Sequence, residues 1–346
     1  MLRIMLQEKC IPFPFFARWI PTPLDISCAG GVYLGRDLHA IDDVRLKRFN
    51  LLTRCALALA VFSTGVGMRW RGIDINFEGL ERYLATIVLL FGLSLFFTYR
   101  LRNPVAAAVT TIFCELMIMP VAITCFTYMA TAFGGPDQTA LIVSWDHSLG
   151  FDWSVYRAGL QSLPLAEEIL DLAYVCFYVQ IFAVPWLLFV CGYPAHTRLL
   201  LNCAVLGVII VMFVATLFPT VDALLWYKEV AVDARGYTGL PRIDHMLMLR
   251  DGSMKNVSIW EMTGILCFPS FHVVAGCLFV GFTPRLGPAR FAFVALNALM
   301  IAGTPRWGGH HLADVLAGIA IGVGLIAAAL AYTRRRPDTG KICGLP

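Results

Sequence analysis

Two short segments hold the side chains best suited to chemistry, Phe268-Pro269-Ser270-Phe271-His272 and Gly309-His310-His311-Leu312-Ala313-Asp314. His310 and Asp314 are four residues apart, so at the start of a helix they share one face and the carboxylate can accept the Nδ1 proton of the imidazole. Nε2 is then a free lone pair, and the carboxylate stabilises the cation that forms when it reacts. His272, arriving from a different segment, can protonate a leaving oxygen. Nucleophile, orienting acid and proton donor are the parts of covalent phosphoryl transfer. Arg306 precedes His310 by four residues, across Trp307 and two glycines that permit a tight turn. Its planar fork matches phosphate oxygens. Ser270 adds a hydroxyl beside a helix start whose free amides favour an anion.

The elements that must position these groups are membrane helices. The 346 residues are 58% hydrophobic and only 14% charged, with a mean hydropathy of +0.72, outside the range of a soluble domain of this length. Apolar runs long enough to cross a hydrocarbon core of about 30 Å recur along the chain. They read as eight helices: Leu51 to Met68, Tyr83 to Tyr99, Pro104 to Phe133, Glu168 to Cys191, Leu199 to Phe218, Phe271 to Phe282, Leu286 to Gly303 and Leu312 to Tyr332. The sixth is short, and the apolar stretch Trp260 to Phe268 is expected to extend it. Pro120 inside the third predicts a kink. The expected architecture is an all-α polytopic bundle.

Lys and Arg crowd the segment before residue 51, the Arg100–Arg102 turn, the Arg285–Arg290 turn and the tail from Arg334. That bias predicts a cytoplasmic N-terminus. The His272 and His310 segments then open the sixth and eighth spans on the same, non-cytoplasmic side, with the connectors 134–164 and 219–268 as walls of a pocket. The arm 1–50 reads as a cytoplasmic surface segment and the first 20 residues lack the pattern of a cleavable signal. Residues 51–103 form two additional spans, 104–333 the catalytic membrane domain and 334–346 a basic cytoplasmic tail.

Eleven cysteines are scattered singly without a CxxC pair, so they read as small buried hydrophobes rather than as a disulfide or zinc framework. His311 taken alone reads as a packing residue, and Asp146, His147 and Asp152 as helix cappers or solvated loop residues before head-group ligands. A metal enzyme using His310, His311 and Asp314 would need several histidine clusters, and the seven histidines are spread too widely. A transporter or non-catalytic lipid-binding protein is the remaining alternative, favoured by symmetric halves that the sequence does not show.

At these residues the chain resembles the type 2 phosphatidic acid phosphatase superfamily. Pro269-Ser270-Phe271-His272 matches its second signature, with Phe271 where glycine is usual. His310 to Asp314, continued by Val315-Leu316-Ala317-Gly318, matches its third, although Thr304-Pro305-Arg306 stands three residues from the histidine instead of a Ser-Arg pair with five. Within the superfamily the chain looks most like the inositolphosphotransferase branch, echoed by Leu149-Gly150-Phe151-Asp152-Trp153, by Ala173-Tyr174 with Gln180, and by Leu217-Phe218-Pro219-Thr220.

The resemblance covers about 104 to 333 and implies a six-helix core. It implies a phosphohistidine on His310, Asp314 as its partner, His272 as the acid, and no metal or other cofactor. Its first signature, a lysine, six residues, an arginine and a proline, has a partial counterpart in Lys228 and Arg235, but Gly236 follows. That pair reads equally as ordinary loop charge, as do Arg242 and Arg250. The expected substrate is a lipid phosphate or phospholipid, the acceptor water or a lipid or polyol hydroxyl, and no nucleic-acid partner is expected.

Overall fold

The computed structural model describes residues 41–232 and 238–334. The first 40 residues of the arm, Arg235 and the tail beyond Arg334 lie outside them. The helices are α1 (Asp43–Arg71), α2 (Glu81–Leu95), α3 (Pro104–Ala132), α4 (Thr139–Ser148), α5 (Trp153–Gln161), α6 (Pro164–Val190), α7 (Pro194–Leu217), α8 (Ala223–Trp226), α9 (Pro241–Arg250), α10 (Phe271–Phe282), α11 (Arg290–Trp307) and α12 (Leu312–Thr333). Seven of the helices, with α2 lengthened to Arg100, are long and apolar enough to span a membrane, and α10 is a shorter apolar helix. The chain is an all-α, multi-pass membrane protein. The large exposed hydrophobics, among them Leu59, Phe62, Val88, Leu172 and Val179, face acyl chains in such a bundle instead of water.

Local chemistry sets the helix ends. Asn103 accepts the Ala106 amide and Pro104 supplies the first residue of α3, a cap worth about 1 kcal/mol. Helix α1 begins at Asp43, eight residues inside the segment read as a surface arm. Asp42 accepts the Arg45 amide, and Lys47 pairs with Asp43 one turn away at 2.6 Å, so a polar first turn extends the apolar span outward.

The connectors sort onto two faces. Strand β1 (Asp74–Asn76), between α1 and α2, pairs in parallel with β2 (Asn256–Ser258) in the connector before α10, and Trp260 Nε1 donates to the Glu78 carbonyl at 2.9 Å. On the opposite face the Asp42 amide donates to the Thr333 carbonyl at 2.7 Å. Eight passes satisfy both ties.

The expected helical extension of the sixth span through Trp260 to Phe268 is not formed. That stretch is a turn followed by irregular chain, because Pro269 lacks an amide proton and disfavours helical geometry at Phe268. Helix α10 is therefore only 12 residues long, about 18 Å. It packs against α6, α7, α11 and α12. Gly318 and Gly322, one turn apart on α12, admit it: a methyl at Gly318 would lie 2.7 Å from the Ser270 carbonyl oxygen and 2.8 Å from Val273 Cβ. Small residues at this spacing let helix backbones approach within a bilayer. Around the seam Phe177, Leu199, Val274, Leu278, Phe282 and Leu325 form the main buried cluster.

Candidate active site

The first turns of α10 and α12 meet. Ser270 is the N-cap of α10, and its amide donates to the Asp314 carbonyl at 3.1 Å. Its hydroxyl lies 3.2 Å from His310 Nε2. On the other side of the ring, His310 Nδ1 lies 3.2 Å from Asp314 Oδ2. A carboxylate only accepts, so the imidazole proton sits on Nδ1 and the Nε2 lone pair faces the Ser270 hydroxyl. Asp314 Oδ2 also accepts the His311 amide at 2.9 Å, whereas Oδ1 is buried with no partner among the described residues. His310 is 3% exposed, and Ser270 and Asp314 are fully buried.

A second carboxylate fixes the start of α12. Asp146 on α4 accepts the amides of Leu312 and Ala313 at 2.9 and 2.8 Å, capping the helix from a different part of the chain. Burial holds its pKa above the ordinary carboxylate value, and the two amides oppose that shift only in part. His311 is buried beneath it, with Nε2 3.3 Å from the Val221 carbonyl, a packing and bonding position. Asp152 caps α5 by accepting the Ser154 and Val155 amides, and His147 is exposed.

His272 lies two residues beyond Ser270. Its ring stacks on Tyr174 of α6 with centroids 4.6 Å apart and is tilted against Phe177 at 4.2 Å. Its Nε2 is buried without a hydrogen-bond partner among the described residues. A buried imidazole nitrogen without a partner is a polar group that calls for an explanation, and an imidazole is chemically able to donate or accept a proton.

The cations are arranged differently from the sequence expectation. Arg306 Nε binds Glu167 at 3.3 Å, and its guanidinium lies 4.7 Å from the centroid of its own neighbour, Trp307. Glu167 is shared with Arg157 at 2.8 Å. Lys228 is exposed after α8 with a left-handed backbone (φ 59°).

Arg242, opening α9, instead donates from Nε to Asp222 at 2.7 Å, and its Nη2 is buried with no partner among the described residues. Burial alone would lower the pKa of this guanidinium, but Asp222 overrides it and the net shift is upward. Asp222 is packed against the turn before His310: Gly309 has φ 63° and a side chain there would collide with the Asp222 carboxylate. The Gly309 carbonyl accepts the Ala223 amide at 2.8 Å. Asp222 and Arg242 therefore belong to the His310 turn.

In the sequence Arg242 reads as an ordinary loop charge, and nothing local marks Asp222. One signal pointed to the arginine: it shares a helical face with the buried Met246 and Leu249, where periodicity calls for an apolar residue. Arg250, at the far end of the same helix, donates to the Thr220 carbonyl at 2.8 Å and keeps a buried, unpartnered Nε. Beside it a cleft of about 230 Å³ is lined by Thr131, Pro219, Thr220, Cys267 and Phe268. Among the described residues no group of three or more His, Cys, Asp or Glu side chains is placed to hold a metal ion.

A sequence model of the PAP2 superfamily matches residues 140–328, more than half of the chain. The match runs from α4 into α12, takes in the whole His310 cluster and leaves α1, α2 and α3 outside. No curated protein and no solved structure matches the chain.

Proposed function

The chain belongs to the PAP2 superfamily, whose members act on lipid phosphates within the membrane, and from that premise we propose that it moves the phosphoryl group of a lipid phosphate or phospholipid head group through a phosphohistidine on His310. The observation that carries the reading is the buried imidazole of His310, oriented by Asp314 at Nδ1 and met by Ser270 at Nε2. Nε2 attacks phosphorus as the bond to the leaving oxygen breaks, and protonated His272 supplies that oxygen's proton. The cationic ring of the phosphohistidine keeps Nδ1–H on Asp314. An acceptor hydroxyl then attacks phosphorus, the P–N bond breaks, and its proton returns to His272. No metal takes part, and residues 104–333 carry the reaction on the non-cytoplasmic face.

Charge on the transferring group needs fixed donors. In this reading Arg242 supplies the main one through its free Nη2, with Asp222 holding the guanidinium in place, and Ser270 turns its hydroxyl to a phosphate oxygen. Arg306, engaged by Glu167, contributes at longer range, as does the exposed Lys228, and the Lys228–Arg235 pair of the sequence is a secondary candidate whose arginine lies outside the described residues. Arg242→Gln is expected to lower kcat/KM about 10²- to 10³-fold, the usual cost of one such donor, and Arg306→Gln about tenfold or less. A larger loss at Arg306 than at Arg242 reverses the assignment.

The acceptor decides between a phosphatase and a phosphotransferase of the inositolphosphotransferase kind, for which the burial of Ser270, His310 and Asp314 and the sequence likeness to that branch speak. Purified protein incubated with a chelator and either phosphatidic acid or phosphatidylinositol, with and without ceramide or diacylglycerol, separates them by product mass. A new phospholipid that depends on the second lipid supports transfer, free phosphate alone supports hydrolysis, and no product from any combination contradicts the reading.

A further inference from the structure

On the face opposite His310, three charged side chains meet between membrane helices. Glu115 of α3 binds Arg54 of α1 through one carboxylate oxygen and Arg198 of α7 through the other, each at 2.5 Å. The Arg54 side chain is 55% exposed and that of Arg198 17%. Among the described residues, two guanidinium groups share this one carboxylate, which leaves one positive charge in excess. Such a charge inside a span is costly unless a counter-ion meets it. Arg198 lies four residues past the start of α7, about 6 Å along the helix, near the end of its span.

The same three helices form an apolar cleft of about 300 Å³ on the bilayer side of these charges, lined by Leu57, Ala60, Met119, Ala122, Val205 and Ile209 among others. Leu57 and Met119 lie one turn above Arg54 and Glu115, and Val205 two turns above Arg198. All three helices run from this face toward the His310 face, so the charges lie at one end of the cleft and hydrocarbon at the other. A cation pair below an apolar groove fits an amphiphile with an anionic head.

We propose that this is a binding site for one anionic glycerophospholipid of the leaflet opposite the His310 site. Its phosphate meets the exposed Arg54 guanidinium, with the more deeply placed Arg198 behind it, where planar guanidinium donors match phosphate oxygens. One acyl chain runs into the cleft between α1, α3 and α7. The site is separate from the phosphoryl-transfer site, at the other end of α7, and does not depend on that reaction.

Native mass spectrometry of the full chain in neutral detergent tests it, on a His310→Ala background so that no lipid is consumed. Phosphatidylglycerol and phosphatidylcholine of identical acyl chains are offered in competition. The parent is expected to retain one phosphatidylglycerol with at least about a tenfold preference. Arg54→Gln, at an exposed position, is expected to abolish that preference, and Ala122→Phe, which fills the cleft, to reduce retention of both lipids. Arg242→Gln is expected to leave the preference intact. Equal retention of the two lipids by the parent, or a preference unchanged in both Arg54→Gln and Ala122→Phe, overturns the proposal.

Discussion

His310→Ala is expected to lower turnover of any lipid phosphate by at least about ten-thousand-fold, into the background of the assay. The figure follows from the role: without Nε2 no phosphoryl-enzyme forms, and loss of a nucleophile that acts as a unit with its partners removes nearly the whole advantage of the site. The substitution leaves the surroundings standing. Asp314 Oδ2 keeps the His311 amide, Asp146 keeps the first amides of α12, and Ser270 keeps its backbone tie to Asp314. Unfolding midpoints of parent and variant in the same detergent are therefore expected to agree within a few degrees. An inactive variant that is also unfolded would not bear on the chemistry, so Asp314→Asn provides the second reading. An amide can present its NH₂ to Nδ1 and favour the wrong tautomer, with an expected loss of about 10²- to 10⁴-fold and the fold retained.

The second large effect is expected at His272 and depends on the substrate. With a lipid alkoxide leaving, the oxygen must be protonated as its bond to phosphorus breaks, and His272→Ala is expected to cost about 10²- to 10⁴-fold in kcat. With an aryl phosphate, whose phenolate leaves without a proton, formation of the phosphohistidine is expected to survive nearly intact. A burst of phenolate followed by slow turnover is the signature, because the acceptor still needs its base. Equal losses on both substrates would remove His272 from proton transfer and leave it as packing against Tyr174 and Phe177.

The parts of this site that sequence made legible are those fixed by local geometry. A spacing of four on one helix brings His310 and Asp314 together whatever the rest of the chain does, and the Pro-Ser pair before an apolar helix marks its N-cap. Multi-pass architecture followed from hydropathy for a similarly direct reason, since a bilayer leaves the backbone few options.

What was not legible depends on tertiary placement. Asp222 and Arg242 reach the His310 turn only because the connector before α10 folds back beneath Gly309. Asp146 caps a helix 166 residues further on, and no local pattern encodes that. Arg306 has the expected spacing but is claimed by Glu167, a residue on another span. Apolar content alone favours a helix through Trp260 to Phe268, and Pro269 outweighs it.

The chemistry proposed for this site turns on a covalent bond between phosphorus and His310 Nε2. The direct measurement is rapid acid-free quenching of the protein with aryl phosphate substrate, proteolysis at alkaline pH where phosphohistidine survives, and peptide mass spectrometry. An added phosphoryl group is expected on the peptide containing His310, higher in His272→Ala than in the parent and absent from His310→Ala. Substrate turnover with no phosphorylated histidine at any quench time, or a phosphoryl group on a different residue, would contradict it.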